Sequence, residues 1–584
     1  NFFLKLAMFQ IITALVLCLI YALNKGFDLT DESFLAMIIL DPDNTTPAFT
    51  YHKLFHLLLK PFSPGIITFR LVRLVFSIGA GLLLGFSLSK WLKLRFPQQG
   101  LSEFVLVCVT ILAVLHGYAL YPQALSYNNL SQLWLVLMVA ILMERDITSE
   151  TGSIKLDLAA GIVIFLLFIT KITSALAFIP CWALAVTMQE IRSGWDGKKV
   201  VQTFFWFAMG FLLLFLIHSI FIQSVFSWLK DFRQLAMLAP RSLGEMLSQY
   251  AEDIFNSLRL EWVLLVLPML AMGIIAYFRD LLNHSFRNWK FTPYTILVAA
   301  VYGCFLIAIV NNDYITGGAI QYSKLHATML GMLLLVTVQW VFFQWRQKKQ
   351  GLKIDFSGAW LMLLLLIIPA IGSVGTDNDM VIQIMQYMFA WMLLIVILVR
   401  NMWQQQPQIS LLIPVLMLVC IAVVQIVDGS FLRPYRIKGG VLSQTENVRI
   451  GNSEIQVDSE TFRTINELRH LISSKTDFDQ DPVISITGMP GLSYLLDGKT
   501  VGNSWTKNSL LEANCFNWKR HTEMDLQRTV IIGYDIPQIP VENIRCLQEV
   551  GIPFPDEYVK IGHVNVYIYR LRFAVFVPRS MLTS

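Results

Sequence analysis

The stretch "LAMFQIITALVLCLIYALNKGFDLTDESFL", Leu6 to Leu35, sets an apolar run directly against three carboxylates, Asp28, Asp31 and Glu32. The run is close to the ~20 apolar residues that an α-helix needs to cross a bilayer. It has no small-residue cleavage pattern of the signal-peptide kind, so it reads as a retained first span. The carboxylates then fall at a membrane edge. Two readings of them stand side by side. Asp28 or Thr30 caps a helix that begins near Glu32, with the acidic first turn matched to the helix dipole. Alternatively, a carboxylate fixed at a helix start serves as a general base, which must be held within reach of the proton it removes.

The rest of the chain repeats the pattern of the run. Of 584 residues, 55% are hydrophobic and only 15% charged, against roughly a quarter charged in soluble domains. Mean hydropathy is +0.58. Apolar stretches recur at 4–23, 72–89, 102–120, 130–143, 157–170, 172–189, 201–226, 260–277, 292–310, 325–345, 358–371, 382–399 and 409–427. The expectation is a mainly α, polytopic membrane protein of about 13 transmembrane helices, with the fifth and sixth stretches turning as a hairpin at "TKITS". Basic loops stay cytoplasmic. Segments such as "KWLKLRFPQQ", "EIRSGWDGKK" and "RQKKQGLK" therefore lie inside. "HGYALYPQALSYNN", "NNDYITGGAIQYSK" and "IGSVGTDNDM" lie outside, with Lys324 as their single lysine. Two long outer segments follow, 24–71 and 227–259.

Residues 428–584 differ in character, with freely used Gly, Asn, Asp and Arg and no spanning run. "SETFRTINELRHLISS" has helical periodicity, while "PVISITGMP", "RTVIIGYD" and "YVKIGHVNVYIYRLR" read as strands. A small extracytoplasmic α/β domain is expected, following a membrane domain over 1–427. Cys515 and Cys546 both fall in it and can pair if that side is oxidising. The other five cysteines lie in apolar stretches, where cysteine acts as small filler. Asn44, Asn129 and Asn283 each head an Asn-x-Ser/Thr triplet, a pattern too common to fix a compartment.

Beyond the opening stretch, three groups of residues can carry chemistry. "TYHKLFHLLLKPFSPGIITFRLVRL" gathers His52, His56, Arg70 and Arg73 on the outer side. Arg70 reads either as a snorkelling helix end or as part of an anion site, and Arg73 falls about a turn inside the span, where charge tends to mark function. Lys171, between two short apolar runs, either snorkels or faces a polar cavity. Tyr322, Lys324 and His326 edge the tenth stretch, where anchoring is the plainer reading. Asp377 and Asp379 form an Asp-x-Asp pair with oxygen ligands for a divalent cation, a solvated acidic loop being the other reading. There is no phosphate-cradling Gly-rich loop with a Lys, no zinc-spaced Cys/His set and no nucleophile elbow. Cytosolic nucleotide chemistry and nucleic-acid binding are not indicated.

With "TDESF" directly after the first span, an Arg near the outer end of the second, about thirteen spans and an outer α/β domain, the chain resembles the GT-C superfamily of integral-membrane glycosyltransferases. Protein O-mannosyltransferases and lipid A aminoarabinose transferases belong to it. The resemblance implies a sugar donor on a polyprenyl phosphate and an inverting transfer to a hydroxyl of a glycan or lipid. Asp31 would be the base, with Glu32 beside it, and Arg70, Arg73, Lys171 and Lys324 would hold the donor phosphate. Asp28, His52, His56, Tyr322 and His326 are further candidates. It implies no obligatory cofactor, and a divalent ion only through Asp377 and Asp379. It also implies a bacterial inner membrane with the site and the α/β domain periplasmic. Phe34 stands where the family more often has Tyr. The Trp-Trp-Asp run of oligosaccharyltransferases is absent, which points away from asparagine as acceptor. A polytopic transporter or flippase is the alternative reading.

Overall fold

The computed structural model describes residues 2–42, 49–97, 101–120, 123–148, 150–237, 243–260, 262–284, 293–311, 322–351, 358–375, 380–405, 411–502, 504–506, 511–519 and 526–583. Every apolar stretch falls on a helix. In chain order the first are α1 (Phe2–Ala22), α2 (Asp31–Leu40), α3 (Tyr51–Leu59), α4 (Ile66–Arg95), α5 (Glu103–Tyr118), α6 (Tyr127–Ile147), α7 (Glu150–Thr170), α8 (Ile172–Ser193) and α9 (Gly197–Phe221). Then come α10 (Val225–Met237), α11 (Leu243–Leu260), α12 (Trp262–Tyr277), α13 (Arg279–His284), α14 (Pro293–Asn311), α15 (Tyr322–Lys349), α16 (Ala359–Ser373), α17 (Met380–Ile384), α18 (Phe389–Gln405) and α19 (Leu412–Val427).

Among the described residues, eight helices are long and apolar enough to cross a membrane. A ninth span arises if the pair Met380–Tyr387 and Phe389–Trp403, bent by 56°, counts as one. Three more apolar helices, Glu103–Tyr118, Leu265–Tyr277 and Ala359–Ser373, are shorter. The helix over the fourth apolar stretch, α6, ends in the charged triplet Glu144, Arg145 and Asp146. Length and terminal charge thus separate the thirteen sequence stretches from the helices that meet the full spanning criterion. Outward-facing apolar residues such as Phe3, Val201, Ile220 and Phe221 stand largely exposed, as side chains in contact with lipid do.

The two long segments expected on the outer side are not extended loops. Residues 24–71 hold α2, α3 and the start of α4, and Arg70 and, just beyond the segment, Arg73 sit inside α4 and are fully buried. Residues 227–259 hold most of α10 and α11. The expected hairpin between α7 and α8 is reduced to one non-helical residue, Lys171, at φ −153° and ψ 89°.

The α/β region contains a five-stranded sheet in the order β4-β3-β5-β7-β6. Its strands are β3 (Pro482–Ser485), β4 (Lys499–Thr500), β5 (Val530–Gly533), β6 (Tyr558–Val566) and β7 (Leu571–Pro578). β3 runs parallel to β4 and β5, and β7 runs antiparallel to β5 and β6. The amphipathic segment forms helix Ser459–Ser473, capped by Asp458. "YVKIGHVNVYIYRLR", expected as one strand, is β6 plus the turn into β7, because Arg570 takes a left-handed conformation at φ 54°. A separate hairpin, β1 (Glu446–Ile450) with β2 (Ser453–Val457), precedes the sheet. Cys515 and Cys546 are disulfide-bonded, with Cα atoms 5.5 Å apart.

This region docks on the segment 24–71 through the backbone. Gly26 N–H donates to the Gln456 carbonyl (2.7 Å), Gln456 N–H to Asn24 (2.8 Å) and Gly491 N–H to Leu29 (2.8 Å). Ring contacts Phe27–Tyr494 and Phe34–Trp505 flank these bonds.

Candidate active site

Arg70 organises the opening stretch. Its Nε donates to Glu32 Oε1 (2.7 Å) and its Nη2 to Glu32 Oε2 (2.6 Å), the paired geometry natural to guanidinium and carboxylate. Nη1 also donates to the carbonyls of Leu23 and Lys25, and Nη2 to that of Gly26, each at 2.9 Å. All five N–H donors are thus spent on Glu32 and on the chain leaving α1. The chain can curl around the guanidinium because Gly26 sits at φ +72°, where a Cβ would collide with Ile437. Arg70 therefore builds the loop instead of presenting donors to a ligand.

The cap of α2 resolves the first question raised by the sequence. Asp28 accepts from Thr30 N–H (2.8 Å) and from Glu32 N–H (3.1 Å). The Thr30 hydroxyl makes no capping bond and donates to Asp28 instead, at 2.5 Å. Asp28 is 1% exposed. Burial, reinforced by the charge of Asp31, pushes its carboxyl up to about 7.

Asp31 and Glu32 are neighbours on a helix and so point about 100° apart. Glu32 turns inward to Arg70, with its side chain 2% exposed, whereas Asp31 keeps 31% exposure. Tyr435 donates to Asp31 Oδ2 at 2.5 Å, and Arg436 Nη1 lies 2.9 Å from the same oxygen. Asp31 Oδ1 carries no hydrogen bond among the described residues. Arg436 also donates to Thr30. Tyr569 feels the charges of Asp28, Arg436 and Asp31, and burial raises its phenol. The result is a carboxylate fixed through one oxygen, with the other available to take a proton.

Arg73 lies one turn below Arg70. It donates to the Tyr118 carbonyl at 2.7 Å and stacks on the Tyr118 ring at 4.1 Å. Lys171 reaches the Gly372 carbonyl at the end of α16 (2.5 Å) and lies 5.8 Å from the centre of the Tyr387 ring. Tyr387 in turn bonds Ser131 of α6 at 2.7 Å, and Tyr127 at the head of that helix lies within the field of Asp31. His52 is buried among Phe49 and Tyr51, and burial holds it neutral, at about 3. His56 Nδ1 lies 2.8 Å from the Ile39 carbonyl and ties α3 to α2. His326 packs against Trp391, ring centres 5.6 Å apart. Tyr322 opens α15, but its side chain and that of Lys324 lie outside the described residues, as do Asp377 and Asp379 altogether.

The structure thus brings together Asp28, Asp31, Glu32 and Arg70, with Arg73 close behind. Sequence reasoning missed Tyr435, Arg436 and Tyr569. The signal was present in "FLRPYRIK", Phe431 to Lys438, a basic and aromatic run directly after the last apolar stretch. It emerges on the same side of the membrane domain as "GFDLTDESFL".

The fold and this site define an integral-membrane protein with a carboxylate-centred site where its helices meet an α/β domain. No protein-family model matches the chain, and no curated protein matches it.

Proposed function

We propose that the chain is a glycosyltransferase of the GT-C type that moves a sugar from a polyprenyl-phosphate carrier to a hydroxyl of a glycan or lipid. The observation that carries this reading is the asymmetry of Asp31, with Oδ2 held by Tyr435 and Arg436 and Oδ1 unbonded among the described residues. In the reaction the acceptor oxygen bonds to the anomeric carbon with inversion. The bond from that carbon to the phosphate oxygen breaks, and Asp31 takes the hydroxyl proton. Arg73, Lys171 and Lys324 are the cations assigned to the departing phosphate. Arg70 is reassigned from phosphate binding to holding Glu32. The reading includes about thirteen spans, an outer-facing site and a bacterial inner membrane. The bonded pair Cys515–Cys546 supports an oxidising outer side. The test is sugar transfer from a labelled polyprenyl-phosphate donor by the purified full chain in nanodiscs. Asp31→Asn should lower turnover about 10²–10⁴-fold with an unchanged melting temperature. Wild-type turnover in that variant would sink the assignment.

The bend of 56° between Met380–Tyr387 and Phe389–Trp403 supports a second reading, since broken helices mark many transporters. Movement of a labelled lipid-linked sugar across proteoliposomes without chemical change would favour it.

A further inference from the structure

A second polar site lies on the other side of α2. A cavity of about 440 Å³ is bounded by Met37, Leu40 and Asp41 from the end of α2, and by Arg449, Asn452, Gln480, Tyr494 and Asp497 from the α/β region. It adjoins a cavity of about 370 Å³ that shares Arg449, Gly451 and Asp497 and adds Arg469 and Phe478. Leu40 lies nine residues after Asp31, about half a turn round the helix and roughly 14 Å along it. These cavities are therefore separate from the Asp31 site.

Their lining is selective. Arg449 and Arg469 are matched by Asp41 and Asp497, so the walls carry no excess charge to attract a phosphate or a cation. They offer instead a mixed set of donors and acceptors from guanidinium, carboxylate and amide groups. Tyr494, 6% exposed, and Phe478 supply aromatic faces. The Tyr494 hydroxyl lies beneath the cavity wall, buried and with no hydrogen-bond partner among the described residues. Gln480 and Asp497 both hold left-handed backbone, at φ 54° and 52°, and such conformations gather at binding sites. Gly451, at φ +52°, also lines both cavities, and a Cβ there would lie 3.0 Å from the Tyr494 hydroxyl.

We propose that these joined cavities bind a neutral oligosaccharide. Charge balance, a mixed set of donors and acceptors, and aromatic faces together match a polyhydroxylated chain. The site stands on its own lining and not on the transferase reading.

The test is calorimetric titration of the purified full chain in nanodiscs with cellotetraose, maltotetraose and chitotetraose. At least one should bind. Asp497→Asn, which tolerates the left-handed backbone, and Arg449→Ala should each weaken binding about tenfold, the effect of losing a charge-assisted hydrogen bond. Asp31→Asn should leave binding unchanged. Both cavity residues are exposed, and unaltered melting temperatures exclude misfolding. Binding of none of the three, or binding that persists in the Arg449→Ala/Asp497→Asn double variant, overturns the proposal.

Discussion

Glu32 and Arg70 form an ion pair with almost no solvent contact, and its geometry rather than its charge makes it sustainable. Removing one partner leaves the other charged and buried, which typically costs 3–5 kcal/mol. Arg70→Ala is expected to lower stability by about that much, and Glu32→Gln should be less damaging because the amide still accepts from Nε. Thermal melts in one detergent would check the order. Asp28 makes a different prediction. Its folded value is about 7 against an ordinary 3.8, so the folded chain holds a proton that the unfolded chain has already released. The stability it contributes is full below pH ~4 and falls as pH rises to ~7, by an amount on the order of a few kcal/mol. Asp28→Asn should abolish that slope. Melting temperatures of wild type and variant measured from pH 4 to pH 8 should lie closest at pH 4, where the wild-type carboxyl is protonated when folded and partly so when unfolded, and diverge toward pH 8 as the wild type falls, if the slope belongs to Asp28. The residues that carry these effects were readable to different degrees. Asp31, Glu32 and Arg70 announced themselves as charges beside apolar runs. That Arg70 would spend every donor on Glu32 and three carbonyls was not legible, because backbone carbonyls leave no mark in a sequence.

Among elements, α7 and α9 approach most closely where glycine permits it. A Cβ on Gly161 would lie 2.0 Å from the Phe207 carbonyl, and one on Gly210 2.1 Å from that of Leu158. Close backbone contact between small residues is a main source of helix association in lipid. Gly161→Ala and Gly210→Ala should each separate the pair and destabilise the bundle, by roughly 1–3 kcal/mol for overpacking. Ala substitution at Gly303, which has open space around it, should be near neutral in the same melts. Apolar length located every helix of the bundle. It did not reveal α3, α10 and α11, because short amphipathic helices lack the uninterrupted apolar run that marks a span, whereas the start of α2 was legible from its cap and acidic first turn.

Across the whole molecule, the α/β region acts as a structural wall of the segment after α1. Three backbone hydrogen bonds join Asn24, Gly26 and Leu29 to Gln456 and Gly491, and Tyr435 and Arg436 hold Asp31. A chain ending at residue 427 should therefore lose both the docking and the carboxylate's partners. Protease sensitivity of the 24–42 segment is expected to rise, and the transfer activity proposed above, if measured, to vanish. The bond between Cys515 and Cys546 spans 31 residues, a loop whose closure is worth about 3–4 kcal/mol by chain entropy. Reduction should lower the melting temperature, with little effect in Cys515→Ala/Cys546→Ala protein. The sequence marked this region as α/β by its change in composition. Its grip on the segment after α1 was not legible, since pairing between such distant segments depends on shape and not on local pattern.

That grip has a consequence for the birth of the protein. Lys25 and its bonded partner Gln456 are 431 residues apart. A ribosome delivers the segment around Lys25 hundreds of residues before the strand that completes it. During that interval Asp31 waits without Tyr435 and Arg436, so this site takes shape only after the membrane helices between them have been made.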